Sequence, residues 1–207
     1  MFLHRLHWLL VVGALACGPA VAQGFADEDR DWGIAPIEEL RRPPYSAPTP
    51  RSIPDGSVIT TAELRDRLAG ANPPVVIDVA GGEGHETLPG ALWIPGAGRG
   101  DNFVDPVQAQ FAALLGQVTA GDKRRGLVFL CVNAQCWLSY NAARRAIAAG
   151  YRQVYWYRGG YAAWRAAGLP LVPMQPPGSA GVSSAAPIKE PARSSTMRPA
   201  DRAAPVR

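Results

Sequence analysis

Two periods of apolar and polar residues alternate between residues 51 and 174. Short continuous apolar runs at PPVVIDV, ALWIP, GLVFLC and QVYWY have the length and Val/Ile/Leu content of strands buried on both faces of a parallel sheet. Between them the period lengthens. Thr60-Thr61-Ala62-Glu63 opens a helix that carries Leu64 and Leu68 and stops at Gly70. Phe111, Leu114, Leu115 and Val118 share one helical face, LSYNAARRAIAAG reads as a helix ending at Gly150, and YAAWRAAG as a short one stopped by Gly168 and Pro170. Strands alternating with helices predict a single α/β domain, a doubly wound parallel sheet with helices on both faces. In such sheets function sits at the carboxyl ends of the strands.

The flanks follow other patterns. MFLHRLH is a short basic start, WLLVVGALAC a ten-residue apolar stretch, and Ala20-Val21-Ala22 a small-x-small cleavage site. Ten apolar residues are too few to span a bilayer, so residues 1–22 are expected to be a cleaved signal peptide that sends the chain to the periplasm. Ala14-Leu15-Ala16 is a poor lead into an acylated Cys17. Residues 23–50 hold four prolines between Pro43 and Pro50 and predict an extended Pro-rich lead-in. Residues 175–207, rich in Pro, Ser and Ala without any aromatic, predict a disordered basic tail.

Charge and composition then narrow the function. The chain carries 21 bases against 17 acids. Arg5 belongs to the leader, and Lys189, Arg193, Arg198, Arg202 and Arg207 outnumber Glu190 and Asp201 in the tail. Residues 23–174 are charge-balanced, which argues against a nucleic-acid partner. Of the three histidines, only His85 lies beyond residue 7, and it reads as exposed in a Gly-rich loop. Two thiols and one imidazole make a poor zinc site, and no CxxCH for haem is present; no metal or cofactor is expected. Cys131 and Cys136 are left in a compartment that oxidises thiols.

Cys131 ends an apolar strand, VNAQC follows, and a helix starts near Trp137. Backbone N–H groups and the helix dipole there favour thiolate over thiol. A buried, inert cysteine is the alternative.

The order of VVIDVA, LPGALWIP, VFLC with its loop and helix, and VYWYRGGYAAWRAAGLPLV resembles a rhodanese-like domain over about residues 51–174. The most specific part is Gly159-Gly160, Trp164 and Gly168-Leu169-Pro170. The resemblance implies a doubly wound α/β fold whose Cys131 carries a persulfide. YSAPTPRSIPDGSVIT, LPGALWIPGAGR and CVNAQCWLSYNAARRA further resemble the exported family associated with PQQ-dependent catabolism and named for a CXXCW motif, although the spacing here is CxxxxCW. That resemblance implies a periplasmic setting near a quinoprotein dehydrogenase system.

The chain departs from ordinary rhodaneses at several positions. Cys136 stands where an Arg is usual, Trp137 for Ser or Thr, Ala134 for Gly, Ala80 for Arg, and Thr87 for His, with His85 two positions away. The loop therefore lacks a cation for an anionic donor. Cys131 and Cys136 are the expected catalytic residues. Val132, Asn133, Ala134, Gln135 and Trp137 are the expected substrate-binding set, with Arg158 supplying a cation from the end of the next strand. Asp78, Gly159, Gly160 and Trp164 are expected structural residues, and Arg144 and Arg145 a solvated face. Trp137, Trp156 and Trp164 also read as core aromatics. A curled loop can bring the Cα atoms of Cys131 and Cys136 within the roughly 4.4–6.8 Å a disulfide tolerates. The opposing argument is that the corresponding Arg points outward in the related loop. Three functions stay open: a sulfurtransferase drawing on a small sulfur donor, a thiol–disulfide protein with a redox partner, and a non-catalytic binding module.

Overall fold

Thr60 starts the first helix by a reciprocal cap, its side chain accepting from the Glu63 N–H while the Glu63 carboxylate accepts from the Thr60 N–H. The computed structural model in which this is seen describes residues 24–174 apart from Glu83. The expected signal peptide 1–22 and tail 175–207 lie outside the described residues. The elements in order are β1 (Ser57–Val58), α1 (Thr61–Leu68), β2 (Val75–Asp78), β3 (Glu86–Thr87), β4 (Leu92–Trp93), α2 (Pro106–Val118), β5 (Leu127–Leu130), α3 (Trp137–Ala148), β6 (Val154–Trp156), α4 (Gly160–Ala166) and β7 (Val172–Pro173). α2 begins a turn and more before Phe111 because Asp105 caps it and Pro106 is preset for a first helical turn.

Five strands form one parallel sheet in the order β1-β6-β5-β2-β4, and β3 pairs with β7 in a separate antiparallel ladder. Alternate side chains of the sheet feed two cores, as the pleat requires. Ile77, Val79, Leu127, Phe129 and Trp156 pack with Phe111 and Leu115 of α2 and Tyr140, Ala143 and Ala146 of α3. Val76, Val128, Leu130 and Tyr157 pack with Leu64 of α1 and Ala163 and Trp164 of α4. Helices thus cover both faces. Among the described residues no helix is long and apolar enough to cross a membrane.

The lead-in opens with a turn over 26–29, carries no helix or strand through 50, and lies on the domain rather than beside it. Its backbone has no sheet to join, so α3 supplies the partners. The Tyr140 hydroxyl accepts from the Ile37 N–H at 2.9 Å and donates to its carbonyl at 2.7 Å. The Asn141 amide brackets Arg41 in the same way, at 2.9 Å on each side.

This corrects the solvated reading of Arg144 and Arg145, both of which are buried. Arg144 donates to the carbonyls of Pro54 and Glu38 and to the Glu38 carboxylate. Arg145 grips both oxygens of Asp105, at 3.0 and 2.6 Å, and the carbonyl of Asn102. α3 has no free face, because sheet, α2 and lead-in surround it.

A candidate thiol site at the carboxyl edge of the sheet

β5 is the middle strand of the sheet, and Cys131 is the residue after it. The chain turns through Val132–Gln135 to Cys136, the N-cap of α3. Cys131 and Cys136 are joined by a disulfide, with Cα atoms 6.2 Å apart. Cys131 is 1% exposed and Cys136 is half-buried.

The loop is pinned from two sides. From α4, the Tyr161 N–H donates to the Cys131 carbonyl and the Ala162 N–H to that of Val132. This close approach explains the paired glycines. Gly160 has φ +59°, and a Cβ there would collide with the Cys131 carbonyl. A Cβ at Gly159 would press on Ala163 and Glu28.

From the other side comes the lead-in. The Ala47 N–H donates to the Gln135 carbonyl and the Trp137 N–H to the Tyr45 carbonyl, both at 2.9 Å, with Ser46 bridged to Cys136. The Thr49 hydroxyl donates to the Ala134 carbonyl at 2.6 Å, and the Trp137 indole N–H to that of Pro48. Residues 45–49 therefore form a strap across the loop. Within the loop, the Gln135 N–H donates to the Asn133 side chain and the Cys136 N–H to its carbonyl. Among the described residues, no hydrogen bond engages the backbone N–H groups of Val132, Asn133 and Ala134. Three successive unengaged donors in a tight loop suit negative charge.

The expected substrate-binding set divides. Asn133, Ala134 and Gln135 line a cavity of about 180 Å³ together with Asp27, Trp32 and Ala162. Val132 is exposed beside it. Trp137 requires correction: it is buried against Tyr140, with Arg41 over its ring, so it belongs to the core and the strap.

Arg158 is corrected as well. All five of its N–H groups donate to protein oxygens: Nε to Thr49 Oγ1, Nη1 to the carbonyls of Asp27 and Glu28, and Nη2 to those of Arg30 and Thr49. Arg158 is 1% exposed and its guanidinium lies over the Trp32 ring. Burial, and then the charge of Arg51, push its pKa down, while Asp29, Asp31 and Asp27 oppose that. With no N–H left to give, it clamps the strap and cannot receive an anion.

Asp78 and His85 form a second cluster on the same edge. Asp78, at the end of β2, is fully buried and accepts from the Ala80 N–H at 2.8 Å. Its other oxygen meets His85 Nε2 at 2.9 Å, and His85 Nδ1 meets the Gly82 carbonyl at 2.9 Å. The imidazole stacks on Tyr161 and abuts Trp93, leaving its side chain 13% exposed, against the exposed loop residue expected. Burial, then the Asp78 charge, push the Tyr161 hydroxyl's pKa up, with Arg165 opposing. Tyr161 thus ties the dyad to the Cys131 carbonyl.

Sequence reasoning missed the dyad and the strap. Asp78 and His85 are separated by a Gly-rich turn with no motif spacing, and the strap's contacts are mostly with backbone. Trp164 is buried with its indole N–H on the Pro170 carbonyl. A larger cleft of about 540 Å³, with Arg67, Arg124 and Arg125, lies at the opposite edge, beside the residues that precede β2, β5 and β6. Among the described residues no group of three or more His, Cys, Asp or Glu could hold a metal ion.

No curated protein matches the chain. Among solved structures it is similar to a thiosulfate sulfurtransferase from Pseudomonas aeruginosa, with 17% identity and TM-score 0.42, over 58% of this chain and 21% of that one. It is similar to a rhodanese-like domain from Anabaena sp., with 18% identity and TM-score 0.40, over 66% and 95%. A third is a homodimeric polysulfide-sulfur transferase from Wolinella succinogenes, with 18% identity and TM-score 0.40, over 58% and 80%. A family model described as a rhodanese-like domain matches residues 60–167, more than half of the chain, from the cap that opens α1 to the cap that closes α4; the chain belongs to the rhodanese-like domain family.

Proposed function

We propose that the chain is an exported sulfur carrier whose reduced Cys131 accepts a sulfane sulfur as a persulfide. The observation that carries this reading is Cys131 at the end of the central strand, opening a loop with three unengaged N–H groups. In the step, the Cys131 thiolate attacks the outer sulfur of a small donor such as thiosulfate. A sulfur–sulfur bond forms to Cys131, the donor's own sulfur–sulfur bond breaks, and sulfite leaves with the electron pair. No external oxidant or reductant enters. The N–H groups would stabilise the anionic persulfide. With Arg158 committed to the strap, the donor's charge gains no guanidinium, so sustained turnover of thiosulfate with cyanide should be slow.

The experiment is donor consumption by pre-reduced protein. Thiosulfate should yield sulfite, and benzenethiosulfonate benzenesulfinate, at one product per chain, and Cys131→Ser should abolish both. Product formation indifferent to Cys131→Ser would overturn the reading.

The disulfide favours a second reading, thiol–disulfide exchange with a redox partner, in which the pair cycles without sulfane sulfur. Equilibration in dithiol buffers of graded potential would then show a reversible Cys131–Cys136 pair with no donor consumption.

Export is supported by the pattern of residues 1–22, and a place beside a periplasmic quinoprotein dehydrogenase by the CVNAQCWLSYNAARRA resemblance. Protein recovered from the periplasm should begin at Gln23. Deletion of the chain should impair growth on an alcohol oxidised by such an enzyme.

A further inference from the structure

Resting on that reading, we infer that Cys136 discharges the sulfur carried by Cys131, releasing it as hydrosulfide and leaving the disulfide seen in the structure. The backbone on both sides places the two residues together independently of the bond between their sulfurs. Cys131 is held through its carbonyl by Tyr161. Cys136 is held by its own N–H on the Asn133 carbonyl, by its bridge to Ser46, and by the Trp137 N–H on Tyr45. Reduction of the disulfide breaks none of these bonds, so Cys136 stays within reach of Cys131.

Access favours the internal thiol over an external one. Cys131 is 1% exposed, and residues 45–49 cross the loop in front of α3. Cys136 already lies beside Cys131, with Cα atoms 6.2 Å apart, so discharge needs no second molecule to reach the loop, as an external acceptor thiol would. Cys136 also caps the 12-residue α3, where the positive end of the helix dipole favours a thiolate.

The Cys136 thiolate, its proton given to water, attacks the Cys131 sulfur of the persulfide. The Cys131–Cys136 bond forms, the bond to the sulfane sulfur breaks, and that sulfur leaves with the electron pair, taking back from water the proton that Cys136 gave up, as hydrosulfide. The sulfane sulfur is reduced by two electrons, one from each cysteine sulfur when the whole sequence from dithiol to disulfide is counted. A dithiol reductant must then restore the pair and is itself oxidised to a disulfide. The product is thus sulfide, and the partner class a dithiol protein or small dithiol.

The test uses full-length reduced protein, freed of reductant and given excess thiosulfate or benzenethiosulfonate, neither of which supplies sulfide by itself. The wild type should release one hydrosulfide per chain in a burst, end as the Cys131–Cys136 disulfide, and resume only on addition of a dithiol. Cys136→Ser and Cys136→Ala should consume donor, gain the mass of one sulfur atom on the Cys131 peptide, and release at least tenfold less sulfide. Reduced wild type alkylated only at the more exposed Cys136 should behave as they do. Donor consumption with a stable persulfide in the wild type, or sulfide release undiminished in both Cys136 variants, overturns the inference and leaves the sulfur-carrier reading standing. If neither the wild type nor the Cys136 variants consume donor, it is the sulfur-carrier reading that has failed.

Discussion

A guanidinium with five donors and no acceptor is a natural knot for a segment that has carbonyls to satisfy and no sheet to join. Arg158 is that knot: four separate residues of the lead-in give it oxygens, Thr49 twice. Replacing it by Ala removes all five bonds at once and leaves the buried carbonyls of Glu28 and Thr49 without this donor. Each such group costs about 1–3 kcal/mol, and Arg158→Ala should lower stability by about 3 kcal/mol or more in a denaturant titration. Arg158→Lys should recover only part of the loss, because an ammonium cannot reach the same fork of oxygens. An Arg158 that served the donor would behave differently, with thiosulfate kinetics altered while stability stayed near wild type. The sequence showed the residue at the right strand end but not its commitment. Its partners lie about 110 to 130 positions away and are mostly backbone oxygens, which carry no residue-type signal.

At the scale of elements, legibility followed burial pattern. β2, β5 and β6 are apolar runs with both faces covered, and α1 and α3 carry clear stops and periods, so each could be read directly. β1, β3 and β7 are two residues each, too short for any period to develop. The packing of the lead-in was not legible, because its prolines exclude a helix and say nothing about what lies beneath. The polar stripe Tyr140, Asn141, Arg144 of α3 looks like a solvent face until the lead-in covers it. That face turns the segment into a part of the site. Thr49 is the hinge of the arrangement, since its hydroxyl donates to the loop at Ala134 and accepts from Arg158. Thr49→Val keeps the shape and removes both bonds, a change worth about 1–3 kcal/mol at a buried position. In reduced protein this variant should alkylate faster at Cys131 than the wild type, with little change at the more exposed Cys136. Equal rates at Cys131 would mean that the strap does not control access to the loop.

Over the whole molecule, lead-in, sheet and thiol loop are linked through few residues: α3 binds the lead-in, the lead-in binds the loop, and α4 binds the loop from behind. Such linkage makes the disulfide a small contributor to the fold. The ring it closes spans a sequence separation of five, for which loop-entropy scaling gives only about 2 kcal/mol. The two cores hold Phe111, Phe129, Trp156, Tyr157 and Trp164 whether or not the sulfurs are joined. A dithiol should therefore open the pair without unfolding the chain, and lower Tm by about 4–8 °C, at roughly 2–4 °C per kcal/mol for a domain of this size. Scanning calorimetry should show one cooperative transition in both redox states, because residues 24–50 have no core of their own and unfold with the sheet. Limited proteolysis of either form should spare this segment. A separate low-temperature transition, or cleavage within residues 24–50 ahead of the domain, would show that the strap opens on its own. Loss of cooperativity on reduction alone would instead make the disulfide a structural bond. A redox pair at this site needs a fold that survives its own reduction, and the placement of these contacts supplies one.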